Sequence, residues 1–273
     1  MGKENEEELC LRNLLHGGAN IYTKKKLKSL RKSERKENWM ESPDFLYEDE
    51  TTIWGIEHFA IDYAIEENNR SGSRLLRDGI NKTYVKYKDD VISGRYDEVE
   101  VAKVLNDHVQ GVFDAVKSFN SKKLYNEFER IFIKHLNKVE KYNKNIYENF
   151  SGDKYRKLVF MIEINTLCLN GNRNAVIVQV LRQDNKWINE IGYNVILTEP
   201  ILHIIKRAIG KIDGVILQTY GYIDKNKNLK DMVYLDLTSY DALMESIEEQ
   251  RLKIYKDVRI WDPQIKSKII IKR

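Results

Sequence analysis

One run of eight residues limits the fold of this chain more than any other segment. The run is KLVFMIEI, residues 157–164, and its side chains are almost all apolar. A strand with one face in water alternates apolar and polar residues, whereas a strand covered on both faces reads as a continuous apolar run. This segment therefore predicts a central strand that is packed on both faces of a sheet.

Predicted helices and strands surround that run in the sequence. Apolar residues at helical spacing predict helices over 101–119, 124–146, 199–209 and 240–251. Strands are predicted at AVIVQVL, GVILQTYGYI and MVYLDL, and the segment TYVKYK predicts a further short strand. Helices that alternate with strands favour a mixed α/β fold in which right-handed crossovers join the parallel pairs.

The domain organisation follows from this order of elements. We expect a single α/β domain over residues 1–273, with a mixed central sheet flanked by helices. Its core would span about residues 24–222, and residues 223–273 would form a C-terminal elaboration. Only three prolines occur and no repeat period is present, so no segment marks a domain boundary.

The amino-acid composition favours a folded domain without a disulfide framework or a membrane-spanning segment. Hydrophobic residues make up 42% and charged residues 32% of the chain, a balance typical of a folded domain rather than a disordered one. Cys10 and Cys168 lie far apart and outside any C-x-x-C pattern, which argues against a disulfide framework and favours a reducing cytoplasm. No apolar run approaches the roughly 18 residues that would span a bilayer, so no membrane partner is expected.

The candidate chemistry lies in ESPDFLYEDETTIWGIEHFAIDY, residues 41–63. Residues 45–47, the acidic turn EDET and residues 53–59 predict a hairpin. Asp44 precedes its first strand, and Glu57 interrupts its second strand after twelve intervening residues. A Mg²⁺ ion held by one or two carboxylates can supply a hydroxide and neutralise charge during phosphodiester hydrolysis. The hairpin could place both acids at adjacent strand ends around such an ion.

This segment resembles the PD-(D/E)XK nuclease superfamily. The resemblance lies in Pro43-Asp44, in Glu57 within an apolar strand, and in the helix before and the crossover helix after them. The resemblance covers about residues 24–165 and implies a restriction-endonuclease-like core. It implies a metal-dependent nuclease that hydrolyses phosphodiester bonds in DNA with Mg²⁺ or Mn²⁺. Asp44, Glu57 and the backbone carbonyl of His58 would be the metal ligands, and a homodimer would suit many members of the family.

The sequence departs from the family at the third motif position, where a lysine orients and activates the attacking water. Phe59 occupies that position. Because side chains alternate along a strand, Glu57 and Phe59 share one face and His58 points to the other, so His58 cannot simply replace the lysine. If no lysine reaches the metal, the alternative is a catalytically inactive nuclease fold that acts as a nucleic-acid-binding or protein-interaction module.

Members of the superfamily can carry this lysine on a neighbouring helix instead. Lys138 borders the apolar stripe of the helix predicted over 124–146, and its stem could lie along that stripe. Lys134 and Lys141 lie further round the helix and are weaker candidates. We interpret His108 and His135, which lie on apolar helix faces, as core histidines with a hydrogen-bond partner.

Other acids offer alternatives. The resemblance implies a further glutamate from the preceding helix, for which Glu34 is the first candidate and Glu41 the reserve. A rival metal pair is Asp153 and Glu163, which are separated by nine residues. This pair ranks second, because it lacks the proline and the lysine and because Glu163 lies in the run that suits a core strand.

Basic residues before and after the hairpin are candidates for nucleic-acid contact. Eight Lys and Arg residues lie in the helix predicted over 24–36, and four more lie in the polar segment 70–82. Such residues neutralise phosphates without reading bases, although a basic helix face is also typical of a solvated surface. The candidates are Lys28, Arg31, Arg35, Arg70 and Arg74.

Overall fold

The computed structural model describes residues 11, 14–15, 20–36, 42–61, 65–66, 74–75, 99, 103, 121–149, 152–164, 177–190, 196–219 and 232–261. Several predictions fall on residues outside these ranges. They concern the strand TYVKYK, almost all of the helix over 101–119, and the residues Glu41, Arg70 and His108.

Five α-helices and thirteen strands are described in these ranges. In chain order they are α1 (Ile21–Lys26), a 3₁₀ turn (Leu30–Lys32), β1 (Glu34–Arg35), β2 (Phe45–Glu48), β3 (Thr52–Ile61), β4 (Ile65–Glu66), β5 (Arg74–Leu75), α2 (Ser121–Leu136), α3 (Val139–Asn149), β6 (Tyr155–Ile164), β7 (Ile177–Leu181), β8 (Trp187–Glu190), β9 (Leu197–Thr198), α4 (Glu199–Lys206), β10 (Gly214–Thr219), β11 (Met232–Asp236), α5 (Tyr240–Glu249), β12 (Ile254–Tyr255) and β13 (Asp257–Trp261).

The central sheet has six strands in the order β1-β2-β3-β6-β10-β11. The pairs β3–β6 and β6–β10 are parallel, and the remaining pairs are antiparallel. The prediction of a mixed α/β class is confirmed. Strand β6 lies in the middle of the sheet, as the apolar run at 157–164 predicts.

Each face of this sheet packs against its own apolar cluster, which explains why β6 is apolar throughout. Phe160 and Ile162 belong to the cluster that also contains apolar residues of α2, α3, α4 and α5. Val159 and Met161 point to the other face and belong to the cluster formed with the N-terminal segment, including Leu27.

The basic segment does not form the single helix predicted over 24–36. It forms the short α1, then the 3₁₀ turn, and then β1, which pairs with β2. Asn20 caps α1 by accepting a hydrogen bond from the amide of Thr23. The hydroxyl of Ser33 donates to the carbonyl of Ser29, and such local bonds compete with a regular helix when few apolar residues anchor it.

The helix predicted over 124–146 is divided into α2 and α3 by a turn at Asn137 and Lys138. The amide of Lys138 donates to the carbonyl of His135, three residues back, instead of four residues back as in an α-helix. Apolar spacing continues across this turn, and for that reason periodicity alone predicts one helix.

The C-terminal third contributes to two sheets. Strand β11 pairs with β10 at one edge of the central sheet, so residues 223–273 include part of that sheet. The apolar run AVIVQVL is a strand, but its β7 lies between β13 and β8 in a separate three-stranded antiparallel sheet. Among the described residues, no helix is both long and apolar enough to cross a membrane.

Candidate active site

The turn before β2 is held by helix α3. Asn145 of α3 donates from Nδ2 to the carbonyl of Ser42 at 2.7 Å, which fixes the chain just before Pro43. Asp44 follows, and its Oδ2 accepts the backbone amide of His58 at 2.7 Å. Because β2 begins at Phe45, the Asp44 side chain takes over the hydrogen bond at the open end of the β2–β3 ladder.

Gly55 lets α3 approach the hairpin closely. A Cβ atom at this position would lie 2.6 Å from Ile146 Cδ1 and 2.9 Å from Pro43 Cγ, both shorter than van der Waals contact. The absence of a side chain at Gly55 therefore brings α3 against β3. Tyr142 lies one turn before Ile146 and reaches Glu57 of β3.

The Glu57 carboxylate is 5% exposed and has two different oxygens. Oε1 accepts the hydroxyl of Tyr142 at 2.7 Å and lies 2.8 Å from Nδ1 of His135. Oε2 is buried and has no hydrogen-bond partner. A buried acceptor without a partner is costly, and each such group requires an explanation.

The negative charges of Asp44 and Glu57 contribute to a raised pKa at Tyr142. Burial raises the pKa of the Tyr142 phenol well above its usual range, and the hydrogen bond to Glu57 and the negative charges of Glu57 and Asp44 raise it further. The phenol therefore stays protonated and acts as a donor to Glu57. Residues Phe45 and Ile56 are partners in the β2–β3 ladder, so Asp44 stands one residue beyond that pair, at the level of Glu57.

Phe59, at the position where the resemblance implies a lysine, is part of the core. Its ring stacks on His135 with centroids 4.3 Å apart, and it makes edge contacts with Phe132 and Phe160. The imidazole of His135 is thus held between the ring of Phe59 and the carboxylate of Glu57.

The sequence predicts that His135 is a core histidine with a hydrogen-bond partner, and that partner is Glu57. The link to Glu57 was missed, because the two residues are 78 positions apart. One signal was present in the sequence: His135 and Tyr142 lie seven positions apart, about two helical turns, so a helix would place both on one face.

Lys138 is exposed in the turn between α2 and α3. Its amide donates to the carbonyl of His135, and its carbonyl accepts from the amide of Tyr142, each at 3.0 Å. Lys134 and Lys141 are also exposed. In the described part of the chain, the backbone of Lys138 connects the two residues that bind Glu57, but no contact joins its side chain to that carboxylate.

Among the described acid candidates, Glu34 and Asp153 lie away from this site, and Glu163 lies on the opposite face of the sheet. Glu34 is exposed on β1 and pairs with Glu48, at the opposite end of β2 from Asp44. Asp153 is exposed just before β6, whereas Glu163 is buried near its end. Ten residues of strand extend about 33 Å, so Asp153 and Glu163 cannot bind one ion.

The basic candidates differ in their environments. Lys28 is exposed, and Arg35 is exposed with its guanidinium 5.1 Å from the ring centre of Phe45. Arg31 donates from Nε and Nη2 to the carbonyl of Leu14 at 3.2 and 3.1 Å, which anchors the N-terminal segment. Arg74 lies in the two-residue strand β5.

The donor set at Asp44 and Glu57 fits a hard divalent cation. Carboxylate and backbone carbonyl oxygens are the ligands that Mg²⁺ prefers, and Glu57 Oε2 is a buried oxygen without a partner. In the described ranges no group of three or more His, Cys, Asp and Glu residues is arranged to hold a metal. An ion at Asp44 and Glu57 would therefore complete its shell with backbone oxygen and water, as Mg²⁺ commonly does.

Comparison of the chain with protein-family models, with curated proteins and with solved structures found no match.

Proposed function

We propose that this chain is a metal-dependent nuclease that hydrolyses phosphodiester bonds in DNA. The observation that supports this most is the buried carboxylate of Glu57. One of its oxygens is bound by His135 and Tyr142, and the other is buried without a partner. A buried carboxylate of this kind suits a cation ligand, and Asp44 contributes a second carboxylate at the same edge of the hairpin.

The sheet order supports a restriction-endonuclease-like core within this proposal. An antiparallel meander of β1, β2 and β3 is followed by α2 and α3 and then by β6, which pairs in parallel with β3. The resemblance implies this sequence of elements, with Asp44 before the second strand and Glu57 within the third.

Asp44 and Glu57 would hold Mg²⁺ or Mn²⁺, together with the backbone carbonyl of His58. In an antiparallel ladder the N–H and C=O groups of a residue at a hydrogen-bonded pair point to the same neighbour. The His58 amide points to Asp44, so its carbonyl belongs on that side too. The ion would supply a hydroxide at neutral pH and would neutralise charge on the phosphate.

We assign the role of the missing lysine to His135. Its imidazole contacts Glu57, and histidine can take up a proton near neutral pH. Stacking on Phe59 sets the plane of the ring, and Tyr142 orients the carboxylate that faces it. Lys138 would then contact a substrate phosphate from the turn that follows α2, and its exposure suits this role.

Substrate contact would use exposed cations outside this centre. Lys28 and Arg35 are exposed and suit phosphate binding, and Arg70 and Arg74 remain candidates from the sequence. The guanidinium of Arg31 already donates to the carbonyl of Leu14, so we assign Arg31 a smaller part in phosphate binding.

One observation favours the alternative of a catalytically inactive module that binds nucleic acid or protein. Phe59 is packed against Phe132, Phe160 and His135, so the usual lysine position is closed by the core. In that case association with DNA or with a protein would be insensitive to the change Glu57→Gln.

Cleavage of supercoiled plasmid DNA with Mg²⁺ or Mn²⁺ separates the two functions. We expect Asp44→Asn and Glu57→Gln to reduce cleavage by about 100-fold or more, on the scale of losing a group that acts in the transition state. Asp153→Asn is the matched control, because it removes one exposed carboxylate far from the site. Absence of cleavage, or equal cleavage by all four proteins, would contradict the nuclease proposal.

A further inference from the structure

Three polar side chains gather on the face of the sheet opposite to Glu57. They are His58 of β3, Glu163 of β6 and Gln218 of β10. Glu163 and Gln218 are direct partners in the parallel β6–β10 ladder. His58 pairs with Met161, two residues before Glu163, so its side chain emerges on the same face.

Two of these side chains carry buried polar atoms that make no hydrogen bond. Gln218 is 1% exposed, and neither its amide oxygen nor its amide nitrogen makes a hydrogen bond. The His58 side chain is 6% exposed, and its Nε2 also has no hydrogen-bond partner. Buried polar groups in native proteins are almost always satisfied, so these three atoms on one face of the sheet are available to bind a ligand.

The charge and spacing of Glu163 indicate what that ligand is. Its carboxylate is buried, and Oε2 lies 3.6 Å from His58 Nε2. This is longer than a hydrogen bond, which spans about 2.7–3.2 Å. Two ligand atoms about 2.1 Å from one tetrahedral ion stand about 3.4 Å apart, which is close to the observed 3.6 Å.

The position within the sheet also suits a binding site. Glu163 and Gln218 are the penultimate residues of β6 and β10, which run in parallel. Ligands in open α/β sheets bind beside the carboxyl ends of parallel strands.

We propose that His58 Nε2, the Glu163 carboxylate and Gln218 Oε1 bind a divalent transition-metal ion, with Zn²⁺ as the preferred occupant. Imidazole suits zinc better than magnesium, and a carboxylate is a common further ligand. Residues 57 and 58 point to opposite faces of β3, so this site is distinct from the one at Asp44 and Glu57. The ion would tie β3, β6 and β10 together and would hold the His58 peptide beside Asp44.

Binding is measured best in a chain that lacks the other proposed site. In the background Asp44→Asn/Glu57→Gln, equilibrium dialysis and elemental analysis should show one Zn²⁺ per chain, and Co²⁺ should bind with the visible absorption of a low-symmetry site. Glu163→Gln and Gln218→Leu should each weaken binding by at least about tenfold, the lower range for losing a group that supports a metal. His203→Gln, which removes an exposed imidazole, is the control and should leave binding unchanged.

Gln218→Leu keeps the experiment decisive if another variant fails to fold. It is nearly volume-conserving and removes two unpaired polar atoms, so the metal-free chain should melt at the same or a higher temperature. The proposal is overturned if the background chain binds no Zn²⁺ or Co²⁺. It is also overturned if Glu163→Gln and Gln218→Leu both bind these ions as well as the background does. Neither result depends on nuclease activity, because the background lacks the carboxylates proposed for cleavage.

Discussion

The imidazole of His135 lies flat against the ring of Phe59, with centroids 4.3 Å apart and planes inclined by 10°. Its Nδ1 lies 2.8 Å from Oε1 of Glu57. Phe59 therefore supports an imidazole that comes from helix α2. The residue proposed as the base, His135, is therefore in direct contact with Phe59, the residue that departs from the motif of the resemblance.

Substitution of His135 tests this assignment. His135→Gln keeps a polar side chain but removes the group that can accept a proton, so we expect cleavage to fall by about 10²- to 10⁴-fold. His135→Lys should retain more activity than His135→Gln, because an amine on the same helix face can replace the basic group. His203→Gln should cleave like the unmodified chain, since that imidazole is exposed on α4. Equal rates for His135→Gln and the unmodified chain would refute the role.

The close approach at Gly55 predicts a compensating pair of substitutions. Gly55→Ala introduces a Cβ atom 2.6 Å from Ile146 Cδ1, so we expect the free energy of unfolding to fall by about 1–3 kcal/mol. Ile146→Val removes that Cδ1 atom. The double variant should therefore be more stable than the sum of the two single effects predicts, as measured by urea denaturation. Strict additivity would show that α3 does not press on the hairpin at this point.

Tyr142 predicts a stability effect with a defined pH dependence. Tyr142→Phe removes a donor to a buried carboxylate, so we expect the free energy of unfolding to fall by about 1.5–3 kcal/mol near pH 7. The pKa of Tyr142 in the folded state is raised, chiefly by burial and then by Glu57. Above about pH 10 the unfolded tyrosine loses its proton while the folded one retains it, so stability is lost as pH rises.

The difference in stability between the unmodified chain and Tyr142→Phe should therefore shrink above about pH 10. Tyr155→Phe is the matched control, because that ring is largely exposed, and it should change stability little. A difference that stays constant from pH 7 to pH 11 would contradict the buried hydrogen bond to Glu57.

The local pattern of apolar and polar residues was enough to predict the central strand and the hairpin. The continuous apolar run predicts β6, and the acidic turn between two short strands predicts β2 and β3. Pattern could not identify the sheet of the second apolar run, because an apolar run predicts a strand but not which strand pairs with it, and β7 pairs with β13 and β8. Pairing of that kind depends on contacts between distant segments.

In the candidate site, too, the local part could be predicted from the sequence and the long-range part could not. Asp44 and Glu57 lie within one hairpin, so their proximity follows from local register. His135 of α2 contacts Glu57 of β3, α3 approaches β3 closely at Gly55, and the turn at Asn137 and Lys138 separates α2 from α3. Three distant parts of the chain determine that contact, and apolar spacing within one helix does not reveal it.

The proposed function depends on a divalent cation held by Asp44 and Glu57. Anomalous difference density from crystals of the full chain soaked in MnCl₂ tests for this ion. We expect a peak about 2–2.3 Å from Glu57 Oε2 and from a carboxylate oxygen of Asp44. That peak should be lost in Glu57→Gln and kept in Asp153→Asn. Ordered side chains at Asp44 and Glu57 with no anomalous peak between them would contradict the proposed metal site.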